Sequence, residues 1–417
     1  MKGILDMDAY VFKNNRKKIT DQMVDNSVFV ITSRKEGNDD IFKQSYNINR
    51  NYFFVSGVME FENVVVLSKI NGKISEKIYI NPYDEYKAKW VGAPLSKEEV
   101  IKRSGIEDVS YLSKLNVELD RILDTISILY LDLVTLGATD ELDSEHLFAN
   151  KIKERKPWVM IYNGRLLFQH ARTIKQPEEI DVMRKAISIT NKGLENILSH
   201  IGEMYEYQLE SYFDQAIKYF GATGYAFPTI AASGLNATCL HYMENKDLAK
   251  NGDLILFDLG SSVDMYCSDI SRTFPVNGKY TPRQKQIYNI VLNGQKLVFN
   301  TAKPGVTTRD LQETLVKYFQ VELKKIGLIK EDSEVSKYYY HGVSHHIGLD
   351  CHDLCDYTPL KPGSIISNEP GLYIKEEGIG IRIEDDILIT EDGAEWLSKE
   401  IIKEPDEIEE FIRSHRK

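Results

Sequence analysis

The chain has 417 residues and a formal net charge of -11, and 42% of its residues are apolar and 28% charged. Its length favours two domains, and its composition is that of an ordinary soluble globular protein. The acidic balance argues against a general binder of nucleic acid or anionic membranes, because phosphate contacts need clustered lysine and arginine.

Strand-like runs and helix-like segments alternate in the first 170 residues or so. Residues 26–32, 63–69 and 77–82 are rich in valine and isoleucine, and residues 112–127 carry apolar side chains at helical spacing. This alternation predicts an α/β domain. The segment has no phosphate-binding glycine loop and no cluster of metal-ligand residue types, so its function is hard to derive from the sequence.

Targeting signals and disulfides are not indicated. The N-terminus has no apolar h-region ahead of its charges, and no stretch of about 18 uncharged apolar residues would span a membrane. Four cysteines are too few for a disulfide framework in a chain of this size. These features predict a cytoplasmic protein that does not enter the membrane.

The character of the sequence changes near residue 172. Pro177, followed by Glu178 and Glu179, predicts a helix start, with proline in the first turn and acids facing the helix N-terminus. We expect this helix to continue to about Leu198. The domain boundary is therefore expected just before it, giving an N-terminal domain of residues 1–171 and a C-terminal domain of residues 172–417.

Residues 253–276 predict a β-hairpin that carries two carboxylates. Residues 254–257 have the pattern of a buried strand, residues 259–265 contain turn residues, and residues 266–274 are strand-like again. The midpoint between Asp258 and Asp269 falls inside the turn, so we expect these side chains to face each other. Directly opposed Cβ atoms lie about 4.5–5.5 Å apart, and like charges that close repel unless a positive charge lies between them.

Residues 363–390 show the same arrangement, with two strand-like runs around "KEEG". The midpoint between Glu369 and Glu384 falls inside that turn, which predicts a second opposed carboxylate pair. Taken singly, each of the four acids has an ordinary interpretation as a turn or surface residue. Two such pairs, each embedded in apolar strand sequence, favour a bound cation.

Histidines are concentrated between the two predicted hairpins. Residues 341–353 hold His341, His345, His346 and His352, out of nine histidines in the chain. Four carboxylates and one imidazole make a hard, oxygen-rich site that suits two divalent ions about 3.5–4 Å apart. Mn²⁺ fits this ligand set best, and Co²⁺, Fe²⁺ and Zn²⁺ stay open. The chain has no HExxH motif, so a single-zinc peptidase layout is not supported.

These residues resemble the signature of the metallopeptidases with the pita-bread fold, whose five ligands have the order Asp, Asp, His, Glu, Glu. The matching positions are Asp258, Asp269 in "SDISRTFPVNGKY", His345 in "HGVSHHIGLDCHD", Glu369 in "NEPG" and Glu384 in "IRIEDD". The segment "FPTIAASGLNATCLHY" resembles the one that supplies a further active-site histidine, here His241. The likeness covers nearly the whole chain, is greatest to the aminopeptidase P branch, and extends next to prolidase.

The resemblance implies an α+β protein, with an N-terminal α/β domain and a C-terminal pita-bread domain built on a curved antiparallel sheet. It implies a metallo-exopeptidase that hydrolyses the bond between an N-terminal residue and a penultimate proline. The partners would be peptides with proline at the second position. Prolidase, a dipeptidase with the same metal site, is the alternative, and a non-catalytic pita-bread module that binds a protein partner is the third hypothesis.

The resemblance also implies roles for individual side chains. Two ions would activate a water, polarise the scissile carbonyl and hold the substrate amine. Glu369 would carry the proton of the water to the leaving nitrogen, and His352 and His241 would donate hydrogen bonds to the oxyanion and the substrate backbone. Arg382 shares a strand face with Glu384, where it would either neutralise the acids or orient the substrate.

The other histidines and cysteines near the motifs have structural interpretations. We expect His341 to support the ligand loop, and His346 to pack on the opposite face of a strand. Cys267 is interpreted as a packed small residue rather than a soft ligand. A redox pair formed by Cys351 and Cys355 stays open as the less favoured alternative.

The N-terminal domain has no chemistry of its own in this interpretation. Residues 44–67 are similar to a characteristic strand region of the N-terminal domain of the family. The resemblance implies that this domain narrows access to the metal site and contributes subunit contacts, so we predict a homodimer that accepts extended peptides. The segment 51–57, "NYFFVSG", and Trp90 are candidate contacts, although the phenylalanines suit the domain core better.

Overall fold

The structure is a computed structural model, and it describes residues 7–33 and 48–416. Contacts divide the chain into two compact units, Met1–Arg172 and Thr173–Lys417. Residues 44–47, which belong to the segment expected to resemble the N-terminal signature, lie outside the described residues, as do residues 1–6 of the N-terminus. Among the helices of the described ranges, none combines the length and apolar character that crossing a membrane requires.

The first unit is a mixed sheet with helices. Its elements are α1 (Ala9–Gln22), β1 (Ser27–Thr32), α2 (Arg50–Ser56), β2 (Val64–Ile70), β3 (Lys73–Ile80), α3 (Glu85–Val91), α4 (Lys97–Ser104), β4 (Asp108–Tyr111), α5 (Leu115–Leu123), β5 (Ile128–Leu131), α6 (Ser144–Arg155), β6 (Met160–Asn163) and α7 (Arg165–Thr173). The strand order is β4-β3-β2-β1-β5-β6. Strand β1 is antiparallel to β2 and parallel to β5. The predicted strands and the predicted α/β character of this region are confirmed.

Valine and leucine side chains of this sheet form the core of the first unit. A cluster that includes Val28, Val66 and Leu129 packs against apolar residues of α5 and α6. In the segment 51–57, Phe53 and Phe54 are almost fully buried, so they belong to the core. Trp90 in α3 is instead 72% exposed.

The second unit combines long helices with short strands. Its elements are α8 (Pro177–His200), β7 (Met204–Tyr205), α9 (Glu206–Tyr219), β8 (Gly224–Tyr225), β9 (Ile230–Ser233), β10 (Leu248–Ala249), β11 (Leu254–Leu259), β12 (Ser261–Val263), β13 (Tyr266–Cys267), β14 (Ile270–Pro275), α10 (Pro282–Thr301), α11 (Thr308–Lys325), β15 (Ile365–Asn368), β16 (Gly371–Ile374), β17 (Ile379–Arg382), β18 (Asp385–Ile389), β19 (Ala394–Trp396) and α12 (Pro405–His415). The pairings among its strands are antiparallel, as expected.

Helix α8 begins where the sequence predicts. Pro177 occupies the first turn together with Glu178 and Glu179, and the side chain of Glu179 accepts a hydrogen bond from the backbone N–H of Gln176. Proline and acids suit this end because the first amides of a helix have no partner within the helix. The helix ends at His200, two residues beyond the predicted limit.

The first hairpin forms, but its register differs from the prediction by two residues. Asp258 pairs with Ser271, not with Asp269, and Leu259 pairs with Ile270. The turn that closes the hairpin consists of Asp264 and Met265, both with positive φ (46° and 70°), between paired Val263 and Tyr266. A two-residue turn of this type follows the twist of the strands. A register shift of two residues leaves each side chain on the same face of the sheet. Asp258 and Asp269 are therefore diagonal neighbours on that face.

The second hairpin has the predicted register. Asn368 pairs with Asp385 on one side, and Gly371 pairs with Arg382 on the other. Glu369 and Glu384 lie between these two pairs at the same register, in the short gap where β15 passes into β16 and β17 passes into β18. The backbone N–H of Glu384 donates to the carbonyl of Ser271 at 3.0 Å, and this bond joins the second hairpin to the first.

The histidine-rich segment extends along the free edge of β15. The backbone N–H of Ser367 donates to the carbonyl of His345 at 2.8 Å, and the N–H of Glu369 donates to the carbonyl of Val343 at 3.0 Å. His346 forms an antiparallel bridge with Ile366. This pairing brings His345 beside Glu369 and turns His346 to the opposite face, as the strand alternation predicts.

Candidate active site

A cavity of about 610 Å³ in the second unit collects the residues singled out from the sequence. Its walls include the five expected metal ligands, the two expected catalytic histidines and Arg382. Apolar side chains complete the lining: Phe227, Pro228, Ile230, Leu240 and Met243. The cavity lining therefore combines charged and apolar side chains, as small-molecule sites usually do.

Asp258 is held by a buried arginine. The Arg382 Nη2 donates to Asp258 Oδ2 at 2.7 Å, Nη1 donates to the Tyr373 hydroxyl at 3.0 Å, and Nε donates to Ser271 Oγ at 2.8 Å. All three guanidinium nitrogens therefore have partners inside the protein. This geometry favours the alternative in which Arg382 neutralises the acid cluster over the one in which it orients substrate.

His345 lies between two carboxylates. Its Nε2 is 3.4 Å from Asp269 Oδ2 and 3.4 Å from Glu369 Oε1, while its Nδ1 is 3.1 Å from the carbonyl of His346. Glu369 also accepts a hydrogen bond from Ser367 Oγ at 3.1 Å. The main-chain contact orients the ring so that Nε2 points at the acids, which is the arrangement a histidine metal ligand needs.

Glu384 completes the group from the second hairpin. Its Oε2 accepts a hydrogen bond from Ser271 Oγ at 2.7 Å. Ligand atoms of Asp269, His345 and Glu384 lie within 4.8 Å of one another. Ser271 therefore contacts both Glu384 and Arg382, and it links Glu384 to the arginine that holds Asp258.

Burial and mutual repulsion raise the pKa values of three acids in this cluster. Burial raises the pKa of Glu384 well above its ordinary value, and the other carboxylates add to the effect. Burial also raises the pKa of Asp258, and it raises that of Glu369 to about 7. Arg382 alone does not offset so many acids, so the cluster needs either protons or further positive charge.

The donor set fits divalent cations. It consists of four carboxylates and one imidazole with an oriented Nε2, and Asp258 Oδ1 is buried without a hydrogen-bond partner among the described residues. Oxygen-rich sets of this kind suit hard or borderline divalent ions. A bound dication would supply the positive charge that the cluster lacks, and so the residues present are those that such ions require.

His341 and His346 occupy supporting positions. The Nε2 of His341 lies 2.9 Å from the Tyr373 hydroxyl, and its Nδ1 lies 2.7 Å from the Gly342 carbonyl. Burial lowers the pKa of His341 to about 4 and that of His346 to about 4. Both rings are therefore neutral near pH 7, and the burial of His346 agrees with a packing role.

The two expected catalytic histidines line the same cavity. The His352 ring lies 4.1 Å from the His345 ring, centroid to centroid, and its side chain is exposed. His241 follows the 3₁₀ helix Gly234–Thr238 and also lines the cavity. Both histidines therefore face the same cavity as the acid cluster.

Cys351 is a site residue that the sequence interpretation missed. Its Sγ lies 2.9 Å from Asp269 Oδ2 as a hydrogen-bond donor, and the residue lines the cavity. Burial and the neighbouring carboxylate raise the pKa of this thiol. Its position directly before His352 is the sequence feature that could have identified Cys351 as a site residue.

Cys267, in contrast, is buried with its sulfur near the carbonyls of Met265 and Leu349.

Comparison with known families gives two matches. Residues 181–391 match metallopeptidase family M24, and residues 12–130 match the aminopeptidase P N-terminal domain. The chain is similar to the Xaa-Pro aminopeptidase of Escherichia coli (strain K12), with 31% identity that covers 97% of this chain and 98% of the relative.

Solved structures show the same likeness. A Bacillus anthracis protein assigned as an aminopeptidase P superposes with a TM-score of 0.95 and 42% identity, covering 98% of this chain and 99% of the other. The E. coli aminopeptidase P with the inhibitor Pro-Leu superposes with a TM-score of 0.89 and 30% identity, covering 98% and 99%. These matches, together with the mixed helices and sheets, confirm the expected α+β pita-bread fold.

The contacts of His345 predict proton release when metal binds. Burial lowers the pKa of this ring, but Asp269 and Glu369 outweigh burial and raise the pKa to about 9. His345 is therefore protonated at pH 8 in the metal-free protein and must lose that proton to coordinate an ion. Titration calorimetry with Mn²⁺ in two buffers of different ionisation enthalpy should show this release, and the apparent affinity should rise between pH 7 and pH 9.

The neighbouring histidine provides the control. His345→Ala should release fewer protons for each ion bound, by up to about one. His346→Phe should release as many as the parent protein, because a ring with a pKa of about 4 is already neutral at pH 8. Equal proton release by His345→Ala and the parent protein would contradict the assignment of His345 as a ligand.

Proposed function

The chain belongs to metallopeptidase family M24, and we propose that it is an Xaa-Pro aminopeptidase that removes an N-terminal residue from peptides with proline in second position. The observation that carries this proposal is the convergence of five ligand-type residues in one cavity beside two histidines. The proposed metal ligands are Asp258, Asp269, His345, Glu369 and Glu384.

Divalent metal ions are the cofactors that membership of this family implies, and we propose a pair of them with Mn²⁺ as the preferred metal. Four carboxylates and one imidazole favour a harder ion than a thiolate-rich set would. The ions would supply Lewis-acid polarisation and water activation when bound. Co²⁺, Fe²⁺ and Zn²⁺ are the other ions that the donor set accepts.

Glu369 is the proposed proton carrier of the reaction. Its Oε1 lies 3.4 Å from His345 Nε2 inside the cavity, where a carboxylate can pass a proton from water to the substrate. It would take the proton of the attacking water and deliver it to the proline nitrogen. Like any peptide nitrogen, the proline nitrogen needs a proton to leave as an amine.

His352 and His241 are the proposed hydrogen-bond donors to the substrate. Both line the cavity outside the acid cluster, and both have room to meet a peptide carbonyl. Donors placed where negative charge develops stabilise the transition state more than the ground state. Arg382 would act through Asp258, since its nitrogens already donate to Asp258, Ser271 and Tyr373.

A peptide panel tests the proposal against prolidase. We expect the metal-loaded protein to release the first residue from an Xaa-Pro-Yaa tripeptide and from longer Xaa-Pro peptides. The matched Xaa-Ala-Yaa tripeptide should react roughly tenfold more slowly or worse. Amino-acid analysis of the products gives the rates. Cleavage restricted to the Xaa-Pro dipeptide would identify a prolidase, and no cleavage with any of the four metals would overturn the enzymatic assignment.

Glu369→Gln should lower turnover by roughly two to four orders of magnitude, because the amide removes both a ligand charge and the proton carrier. The rate should be measured at saturating metal, with metal content determined separately. His346→Phe is the control, since that ring is assigned to packing on the opposite face, and we expect a change of only a few-fold. Retention of most activity by Glu369→Gln would show that this residue is not the proton carrier.

A homodimer is the proposed assembly, with the N-terminal domain contributing contacts and limiting access to extended peptides. Support comes from α3, where Tyr86 and Trp90 are 70% and 72% exposed and their rings lie 6.1 Å apart. Light scattering should give about twice 47.9 kDa, and Trp90→Glu should shift the mass toward that of the monomer. A fully active monomer would refute the proposed dimer and leave the metal chemistry intact.

The cytoplasmic location of the protein stays a prediction from its sequence.

A further inference from the structure

Three ligand-type side chains meet at the rim of the carboxylate cluster. Ligand atoms of His345, Cys351 and His352 all lie within 4.8 Å of one another. His345 and Cys351 are half-buried and His352 is exposed, and all three line the cavity. The group therefore combines a thiol with two imidazoles at a place that solutes in the cavity can reach.

This set differs chemically from the carboxylate cluster next to it. Thiolate and imidazole are soft and borderline ligands that favour Zn²⁺ and related ions, whereas carboxylates favour harder ions. Around a tetrahedral zinc, neighbouring ligand atoms lie about 3.3–3.7 Å apart, as bond lengths near 2.0–2.3 Å require. The three ligand atoms lie within 4.8 Å of one another, and rotation of the exposed His352 side chain can bring its ring nitrogen closer to the other two.

We propose that His345, Cys351 and His352 form a second cation position, selective for thiophilic divalent ions such as Zn²⁺ and Cd²⁺. When such an ion binds, the S–H bond of Cys351 breaks, its proton passes to water, and a sulfur–metal bond forms. The hydrogen bond from Cys351 to Asp269 is lost in this step. A fourth position on the ion faces the cavity, where water can occupy it.

The shared histidine makes the two cation positions mutually exclusive. His345 Nε2 is 3.4 Å from both Asp269 and Glu369, and one ring nitrogen cannot bind two ions at once. A thiophilic ion held with Cys351 would therefore remove the imidazole from the carboxylate-bound pair and inhibit the enzyme. This consequence, unlike the cation position itself, rests on the function proposed above.

The cation position can be tested without an activity measurement. Metal-free protein should be titrated with Cd²⁺ while the ultraviolet thiolate-to-metal charge-transfer absorption is followed. The parent protein should develop this absorption, and Cys351→Val and Cys351→Ser should both lack it. The serine hydroxyl can still donate to Asp269 but provides no thiolate. Circular dichroism that matches the parent protein would show that the missing band in Cys351→Ser does not come from misfolding.

Cys239→Ser is the matched control, because Cys239 is an exposed thiol outside the group, and its loss should leave the band unchanged. His352→Ala should weaken Cd²⁺ binding by at least tenfold. Absence of the band in the parent protein would overturn the proposal. So would its persistence in both Cys351 variants, since the thiolate would then come from another cysteine.

Competition is measured on the Mn²⁺-loaded protein, with each variant compared with its own uninhibited rate. Micromolar Zn²⁺ should inhibit the parent protein, and Cys351→Val should need at least tenfold more Zn²⁺ for the same fractional loss. Equal sensitivity would overturn the competition. If no peptide is cleaved but the Cd²⁺ band is present, the proposed function fails and the cation position stands.

Discussion

Repulsion among buried carboxylates is the constraint on which the rest of the second unit depends. Asp258, Asp269, Glu369 and Glu384 share one cavity, and burial raises the pKa values of three of them. Concentrated negative charge of this kind destabilises a fold unless cations offset it. Arg382 offsets part of this negative charge, and bound metal ions would offset the rest. The attraction between the carboxylates and cations would therefore contribute both to the stability of the fold and to its function.

Backbone pairing makes that crowding tolerable. The two hairpins and the segment 343–347 join through main-chain hydrogen bonds, including those at Ser271, Ser367 and Glu369. Because each proposed ligand lies at or next to a paired strand, the direction of its side chain is set by strand geometry rather than by a flexible loop. The hydrogen bond from Arg382 to Asp258 then fixes the orientation of a carboxylate that its negatively charged neighbours repel.

Cys351 changes how this site is expected to respond to different metals. A thiol that donates to Asp269 places a soft ligand beside a hard set, and the two share His345. Metal selectivity in such a site depends on which ions are available and on the geometry they accept, since raw affinity alone favours the later transition metals. The choice of metal would thus depend on the whole cavity and not on the five proposed ligands alone.

The sequence by itself determined the two hairpins and the pairing of Glu369 with Glu384, and it supplied the five proposed ligands. It could do so because strand alternation and turn position follow from local chemistry, and because the motifs match a family with a specific order of ligands. It also placed the start of α8 and three strands of the first unit, β1, β2 and β3.

Tertiary structure decided what lies between elements that are distant in the chain. The register of Asp258 against Ser271 followed from a two-residue turn at Asp264 and Met265, which a midpoint estimate misplaced by one position. The contacts of Arg382 with Asp258 and Ser271, and the approach of Cys351 to Asp269, join residues that are far apart in sequence. No local pattern encodes such contacts, because they arise only when separate hairpins pack together.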